Sequence, residues 1–280
     1  MHFMDERVSC EIIIIGNEIL SGFVKETNSH FLIDYFTNLG GKIERVACIQ
    51  DDVSIISNEI RETFKRGTKL IVCSGGLGPT DDDITLEGIS KGLSLPLFKD
   101  DNALKMIKES YIKLFNEGKT QIRDLTPERE KMSYLPVGSV PLYNAIGAAP
   151  GVLIKYSNKY ILSLPGVPAE LKYILKNSFK PFIKGLFPEK IKKIKKSFYL
   201  DITDESLIAK KLKEVRSLYK DLYIKSKPGK EKNQFRVEIV IFGVGVKEEI
   251  QRKIEEVAKI FKSDTNINDG TKKERNYEKF

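Results

Sequence analysis

Apolar residues along this chain alternate between two spacings. Glu11 to Ile15 is a short aliphatic run closed by Gly16, the pattern of a strand buried on both faces. From Thr27 to Leu39 the apolar positions Phe31, Leu32, Tyr35, Phe36 and Leu39 recur at steps of three and four, and Gly40-Gly41 supplies a stop, which predicts an amphipathic helix. The pattern repeats. Ile43 to Ile49 reads as a strand, Ser54 to Lys65 as a helix with Ile56, Ile60 and Phe64 on one face, and Lys69 to Cys73 as a third strand. Strands and helices in alternation, joined by short connections, predict right-handed crossovers and an α/β fold: a mostly parallel sheet sandwiched by helices. Ligands of such sheets bind beyond the carboxyl ends of the strands.

The same reading continues with a short helix from Thr85 to Gly92. A longer one from Asp101 to Asn116 carries Leu104, Ile107, Tyr111, Leu114 and Phe115 on one face. A loop-rich stretch with Pro136, Pro141, Gly147, Pro150 and Gly151 precedes a β-hairpin, Val152 to Lys155 and Tyr160 to Leu164 around the Ser157-Asn158 turn. Pro165-Gly166-Val167-Pro168 then breaks the strand and starts a helix from Ala169 to Asn177. Pro181, Gly185 and Pro188 mark a boundary, which gives a larger domain over 1–185 and a smaller α+β domain over 186–262. The smaller one reads as strand Lys195 to Leu200, helix Asp204 to Val215, strands Asp221 to Ser226 and Gln234 to Phe242, and helix Lys247 to Phe261. The polar, aperiodic stretch 263–280 is expected to be disordered.

Composition narrows the chemistry. With 41% hydrophobic and 31% charged residues the chain is of the globular class. Its longest aliphatic run, Ile12 to Ile15, is far short of the roughly 20 apolar residues a membrane helix needs. The start has no basic-then-apolar signal pattern, so the expected address is cytoplasmic. Three scattered cysteines give no disulfide framework; Cys48 and Cys73 read as buried strand residues and Cys10 as lying at a strand's edge. With only His2 and His30, any metal must use oxygen ligands. The net charge of +8, partly concentrated in Lys190, Lys192, Lys193, Lys195 and Lys196, reads as a solvated basic surface that attracts small anionic ligands. Nucleic acid is not the expected partner, because aromatic stacking residues are not interleaved with those lysines.

The densest chemistry lies in Ser74-Gly75-Gly76-Leu77-Gly78-Pro79-Thr80-Asp81-Asp82-Asp83-Ile84-Thr85, between the third strand and a helix. Gly75, Gly76 and Gly78 let backbone amides approach a phosphate without side-chain obstruction, with Ser74, Thr80, Thr85 and the later Gly166 as further phosphate contacts. The plainer reading is a strand-to-helix turn with Asp83 as N-cap. Asp81, Asp82 and Asp83 beside a polyanion call for a divalent cation such as Mg²⁺, unless Asp81 and Asp82 are simply solvated. The loop lacks the Gly-Lys-Ser/Thr ending of a P-loop, and its glycines follow the third strand rather than the first. Topology brings Asn17 and Glu18, after the first strand, and Asp51, after the second, towards the same rim; Asp51 is either a partner carboxylate or a helix-starting aspartate.

Five stretches in order carry a resemblance: Gly16-Asn17-Glu18-Ile19-Leu20-Ser21-Gly22, Glu26-Thr27-Asn28-Ser29, Ser74 through Thr85, Asn144 through Gly151, and Leu164-Pro165-Gly166-Val167-Pro168. The chain resembles the molybdopterin-binding (MoCF) fold and, more closely, the N-terminal region of the CinA family. Thr203 to Ala209 and Tyr223 to Ser226 extend the likeness into the smaller domain. The resemblance implies functional carboxylates at Asp83 and Asp51. With Glu18 these form the catalytic candidates, while Asp83, Asp51, Asp81 and Asp82 form the metal candidates. It implies chemistry at a nucleotide phosphate: metal-dependent hydrolysis of a pyrophosphate such as ADP-ribose. The alternatives are molybdopterin binding or adenylyl transfer to molybdopterin, and a non-catalytic nucleotide or pterin sensor. It also implies a homo-oligomer, dimer or trimer. Many relatives carry a further nicotinamide-mononucleotide deamidase domain, and that activity is expected to be absent here.

Overall fold

The computed structural model describes residues 7–231 and 234–263; His2 and the expected tail beyond Ser263 lie outside them. The chain divides into two compact units, Met1–Glu189 and Lys190–Phe280.

The first unit runs β1 (Val8–Ile15), α1 (Asn17–Leu20), α2 (Asn28–Asn38), β2 (Gly41–Ile49), α3 (Val53–Lys65), β3 (Leu70–Ser74), α4 (Thr85–Leu93), β4 (Leu97–Lys99), α5 (Asp101–Asn116), α6 (Pro127–Lys131), β5 (Tyr134–Pro136), β6 (Ser139–Leu142), β7 (Gly151–Tyr156), β8 (Lys159–Leu164), α7 (Pro168–Lys176) and α8 (Lys180–Leu186). Six strands form one sheet in the order β2-β1-β3-β8-β7-β6. β2, β1, β3 and β8 are mutually parallel, and β7 and β6 join as antiparallel neighbours. The alternating faces of β1 feed two cores. Cys10, Ile12 and Ile14 pack with Leu32 and Phe36 of α2 and Leu171 and Ile174 of α7. On the other face, Ile13 and Ile15 pack with Ile56 and Ile60 of α3, Ile89 of α4 and Ala103 of α5. Each fully buried Ile or Leu in these layers contributes about 1.5–3 kcal/mol. The mostly parallel sheet sandwiched by helices is therefore present.

Register fixes where a ligand can approach. Ile15 lies opposite Ile49, Ile14 opposite Ser74, and Ser74 opposite Leu164, so the four parallel strands end flush and their loops share one rim. Three expectations need correction. Cys48 is exposed, because β2 has a neighbour on one side only. Cys10 is fully buried within a β1 that begins earlier than its aliphatic run. The loop-rich stretch holds α6, β5 and β6, and Pro181 and Gly185 lie inside α8 rather than in a linker.

The second unit comprises β9 (Ile191–Leu200), a 3₁₀ turn (Glu205–Ile208), α9 (Ala209–Leu218), β10 (Leu222–Glu231), β11 (Gln234–Val246) and α10 (Lys247–Ser263). Its three strands are antiparallel in the order β10-β11-β9, a small α+β unit. Leu200, Ile224, Val237, Ile239 and Ile241 turn towards Leu212 of α9 and Ile254, Val257 and Phe261 of α10. The helices thus cover one face of this sheet. Among the described residues no helix is long and apolar enough to cross a membrane.

Candidate functional site

The rim of the first unit is stitched together by its own side chains. Asn28, buried at the start of α2, donates from Nδ2 to Ser74 Oγ at 3.1 Å and to the Gly166 carbonyl at 2.7 Å, tying the loops after β3 and β8. Glu26 holds that helix start in place by accepting from the Ser29 amide at 2.7 Å and from the Ser29 hydroxyl. Asp51 Oδ2 accepts from the Asn17 amide at 2.7 Å, which ties the loop after β2 to the loop after β1.

Within the glycine loop the residues divide by role. Gly75 donates its amide to the Leu164 carbonyl at 3.0 Å and adopts φ +114°, and a Cβ there would overlap the Ile15 carbonyl. It serves close packing of β1, β3 and β8. Thr85, fully buried, donates its hydroxyl to the Gly75 carbonyl at 2.9 Å and its amide to the Gly76 carbonyl at 3.1 Å. Ser74 is 1% exposed, and its hydroxyl is taken up by Asn28 and by the Pro165 carbonyl. These three are expected phosphate contacts, and in the structure their polar groups hold the loop, because buried polar groups find partners inside the protein. The amides of Gly76 and Gly78 are different: neither has an acceptor among the described residues, and both glycines are partly exposed. Gly166 is exposed, and a Cβ added to it would lie in contact with the Gly75 Cα.

The carboxylates also separate. Asp83 Oδ2 accepts from the Thr80 amide at 2.9 Å and the Thr80 hydroxyl at 2.7 Å, beneath Gly78. It is a brace of the Pro79-Thr80 turn; Ile84, not Asp83, occupies the N-cap position of α4. Thr80 shares its hydroxyl with Asp82 Oδ1, and its carbonyl accepts from Lys131 of α6. The Thr80 hydrogen bond, the Asp82 backbone amide and the Lys131 charge together hold the Asp82 carboxyl below the usual aspartate range. Asp51 behaves oppositely. Burial pushes its carboxyl up, and the charges of Glu18 and Asp82 add to this against the Asn17 hydrogen bond. Partial burial and the charges of Glu26, Glu18 and Asp51 likewise push the Cys48 thiol up, so it is not a poised nucleophile.

Asp51 therefore lies in the field of Glu18 and Asp82, while Asp83 is turned towards Thr80. Among the described residues no group of three or more His, Cys, Asp or Glu converges closely enough to hold an ion. The expected oxygen-ligand set of Asp51, Asp81, Asp82 and Asp83 is not gathered about one point in this arrangement: Asp51 turns an oxygen to the Asn17 amide, and Asp82 and Asp83 each turn one to Thr80.

Sequence reasoning missed two residues here. Asn28 lies within a motif of the resemblance but has no role assigned there; a polar residue at a helix start beside the strand ends is the available signal. Glu170, in the first turn of α7, accepts from Asn144 Nδ2 at 2.6 Å and lies against Gly147, where a Cβ would overlap its carboxylate. Burial pushes the Glu170 carboxyl up, against the Asn144 hydrogen bond.

Comparison with known proteins identifies the family. Residues 11–185 match the family model described as "Probable molybdopterin binding domain". A protein of Sulfurisphaera tokodaii is 40% identical over 256 residues, 89% of this chain and 94% of that protein. One from Saccharolobus solfataricus is 38% identical over 257 residues, 91% and 90% of the two chains. Matches of that length extend into the second unit. A crystal structure described as the protein CinA with unknown function, from Thermoplasma acidophilum, is 36% identical with a TM-score of 0.56 and covers 62% of this chain and 98% of that chain.

Proposed function

The chain belongs to the CinA family of molybdopterin-binding-domain proteins, and on that footing we propose that the rim of its first unit binds a phosphorylated pterin of the molybdopterin class. The observation that carries this reading is the pair of amides on Gly76 and Gly78 with no acceptor of their own, beside the exposed Gly166. Backbone N–H groups presented by glycines at the end of a parallel strand suit a phosphate's oxygens. A pterin's amino-pyrimidinone edge offers parallel N–H donors, and an exposed carboxylate such as Glu18 has the two oxygens to accept them. The test is an anaerobic titration with molybdopterin, followed by gel filtration and pterin fluorescence. Retention near one pterin per chain is expected, weakened at least about tenfold in Gly78→Ala, whose Cβ would displace Asp83; no retention by the wild type refutes the reading.

A second reading, chemistry at the phosphate, is favoured by the raised carboxyl of Asp51, which titrates nearer neutrality than an ordinary aspartate and so suits proton transfer. Cleavage of ADP-ribose and adenylyl transfer to the pterin are the two forms of it. ADP-ribose turnover with and without Mg²⁺, and ATP consumption with and without pterin, separate them. Absence of both products in the presence of bound pterin leaves a sensor. Homo-oligomerisation is supported by Leu20, Phe23 and Val24, which are 49%, 90% and 48% exposed on the segment after β1. Light scattering at the mass of a monomer contradicts it.

A further inference from the structure

The charge of the molecule is unevenly placed. Residues 190–280 contain 24 of the 47 Lys and Arg but 15 of the 39 Asp and Glu, so the second unit carries +9 and the first −1. One face of the second unit's sheet is covered by α9 and α10, and strand pairing determines what stands on the other. Tyr223 of β10 lies opposite Phe242 of β11, which lies opposite Lys195 of β9. In the adjoining row Lys225, Val240 and Ser197 stand side by side. Lys225 follows Tyr223 by two residues on the same strand face, whereas Lys195 and Phe242 come from distant parts of the chain, and pairing brings all four onto one surface.

The rings and charges on this face are arranged for contact. Tyr223 and Phe242 stack with centroids 4.7 Å apart and planes inclined by 25°, and Lys193 Nζ lies 5.5 Å from the centroid of Phe242. Tyr223 is 48% exposed. Lys195 and Lys225 are exposed and have no carboxylate partner among the described residues. An open cavity of about 340 Å³ is bordered by Arg216, Leu222, Tyr223, Ile224 and Lys225 along the outer edge of β10. Arg216 is held there by donating from Nε to the Ile224 carbonyl at 2.8 Å.

The geometry points to a second binding surface on this unit, for single-stranded RNA. Unstacked bases gain from an exposed aromatic face, while phosphates gain from unpaired lysines around it. The three strands span about 10 Å, which admits two or three bases. One base stacks on Tyr223 at the cavity beside Arg216, and the backbone crosses Lys225 and Lys195. Duplex is not accommodated, since its bases are already stacked on one another. Ser197 selects ribose: it is exposed in the Lys225 row, beside Lys195 on its own strand, its hydroxyl has no partner among the described residues, and the 2′-hydroxyl is the group that distinguishes RNA from DNA. This surface is independent of the pterin site and stands or falls by itself.

The test uses the full chain and a short, labelled, unpaired RNA of mixed sequence, read by fluorescence anisotropy at several salt concentrations. Tyr223→Ala is expected to weaken binding about tenfold with an unchanged salt slope, and Tyr223→Phe to restore it. The double variant Lys195→Glu, Lys225→Glu is expected to weaken binding more and to flatten the salt slope by about two charges' worth. Circular dichroism and the thermal midpoint check that each variant is folded. No binding at low salt overturns the proposal. So does equal binding of duplex RNA, of DNA of the same sequence or of anionic lipid vesicles, or Tyr223→Ala binding like the wild type.

Discussion

Near the amino ends of β1 and β3, Glu11 is 2% exposed and surrounded by donors: Arg66 Nε at 3.0 Å, Arg66 Nη2 at 2.7 Å, Thr68 Oγ1 at 2.5 Å, and the Arg45 guanidinium at 3.7 Å. Burial pushes this carboxyl up, but the hydrogen bonds from Arg66 and Thr68 and the charges of Arg66 and Arg45 together hold it below the usual glutamate range. At the opposite end of the same sheet, in the loop after β2, Asp51 has one amide for a partner and two like charges, Glu18 and Asp82, for neighbours, and its carboxyl is raised. One sheet thus carries a compensated acid, Glu11, at one end and an under-compensated one, Asp51, at the other. The first arrangement serves the fold. The second costs stability, and that cost marks the rim as the part of the surface shaped for something other than folding.

The comparison breaks most visibly at its compensated end. Arg66→Ala leaves Glu11 buried and short of its main partner, and about 3 kcal/mol of unfolding free energy should be lost in urea titration at neutral pH, the lower part of the range for such pairs because Arg66 is itself part exposed. The pH dependence has a definite sign. A carboxyl held below its ordinary pKa in the folded state contributes stability that is present above the ordinary value and is lost as pH falls through the lowered one. Glu11→Gln should flatten that acid limb.

Gly75→Ala tests the backbone that the rim depends on. Positive φ and overlap with the Ile15 carbonyl should destabilise the protein by about 2–3 kcal/mol. Thr85→Val, which removes a buried hydroxyl from the Gly75 carbonyl, should cost about 1–2 kcal/mol by the same titration.

The smallest stability effect sharpens the contrast. Asp51→Asn keeps an oxygen for the Asn17 amide and removes the charge that Glu18 and Asp82 oppose. Its thermal midpoint at neutral pH should equal or exceed that of the wild type. Because the folded-state carboxyl is raised, ionisation disfavours the fold above that raised value, and any gain from Asn should vanish as pH falls below the ordinary aspartate pKa. A clear drop in midpoint at neutral pH would mean that Asp51 is structural.

Much of this was legible in the residue pattern. Local periodicity places β1, α2, α3, α5 and the β7–β8 hairpin, because each buries a face that its own spacing defines. Strand order is not local, so the exposure of Cys48 on the outer β2 and the interleaving of Tyr223 and Phe242 with Lys195 had no signature along the chain. The site was half legible. Glycines and acids mark the rim, but which amides remain open depends on bonds between residues far apart, such as Gly75 to Leu164 and Thr85 to Gly76. Asp83 is marked as a functional carboxylate by the acid run and by the family resemblance; its turn towards Thr80 is a matter of loop conformation that the residue pattern does not carry.

The most direct measurement is ¹⁵N chemical-shift mapping of glycine-labelled protein during titration with molybdopterin. Gly76, Gly78 and Gly166 should move, while Gly75, whose amide is held by Leu164, and Gly243 and Gly245 of the second unit should stay in place. Shifts confined to the second unit, or saturation with the three rim glycines unmoved, would contradict the account.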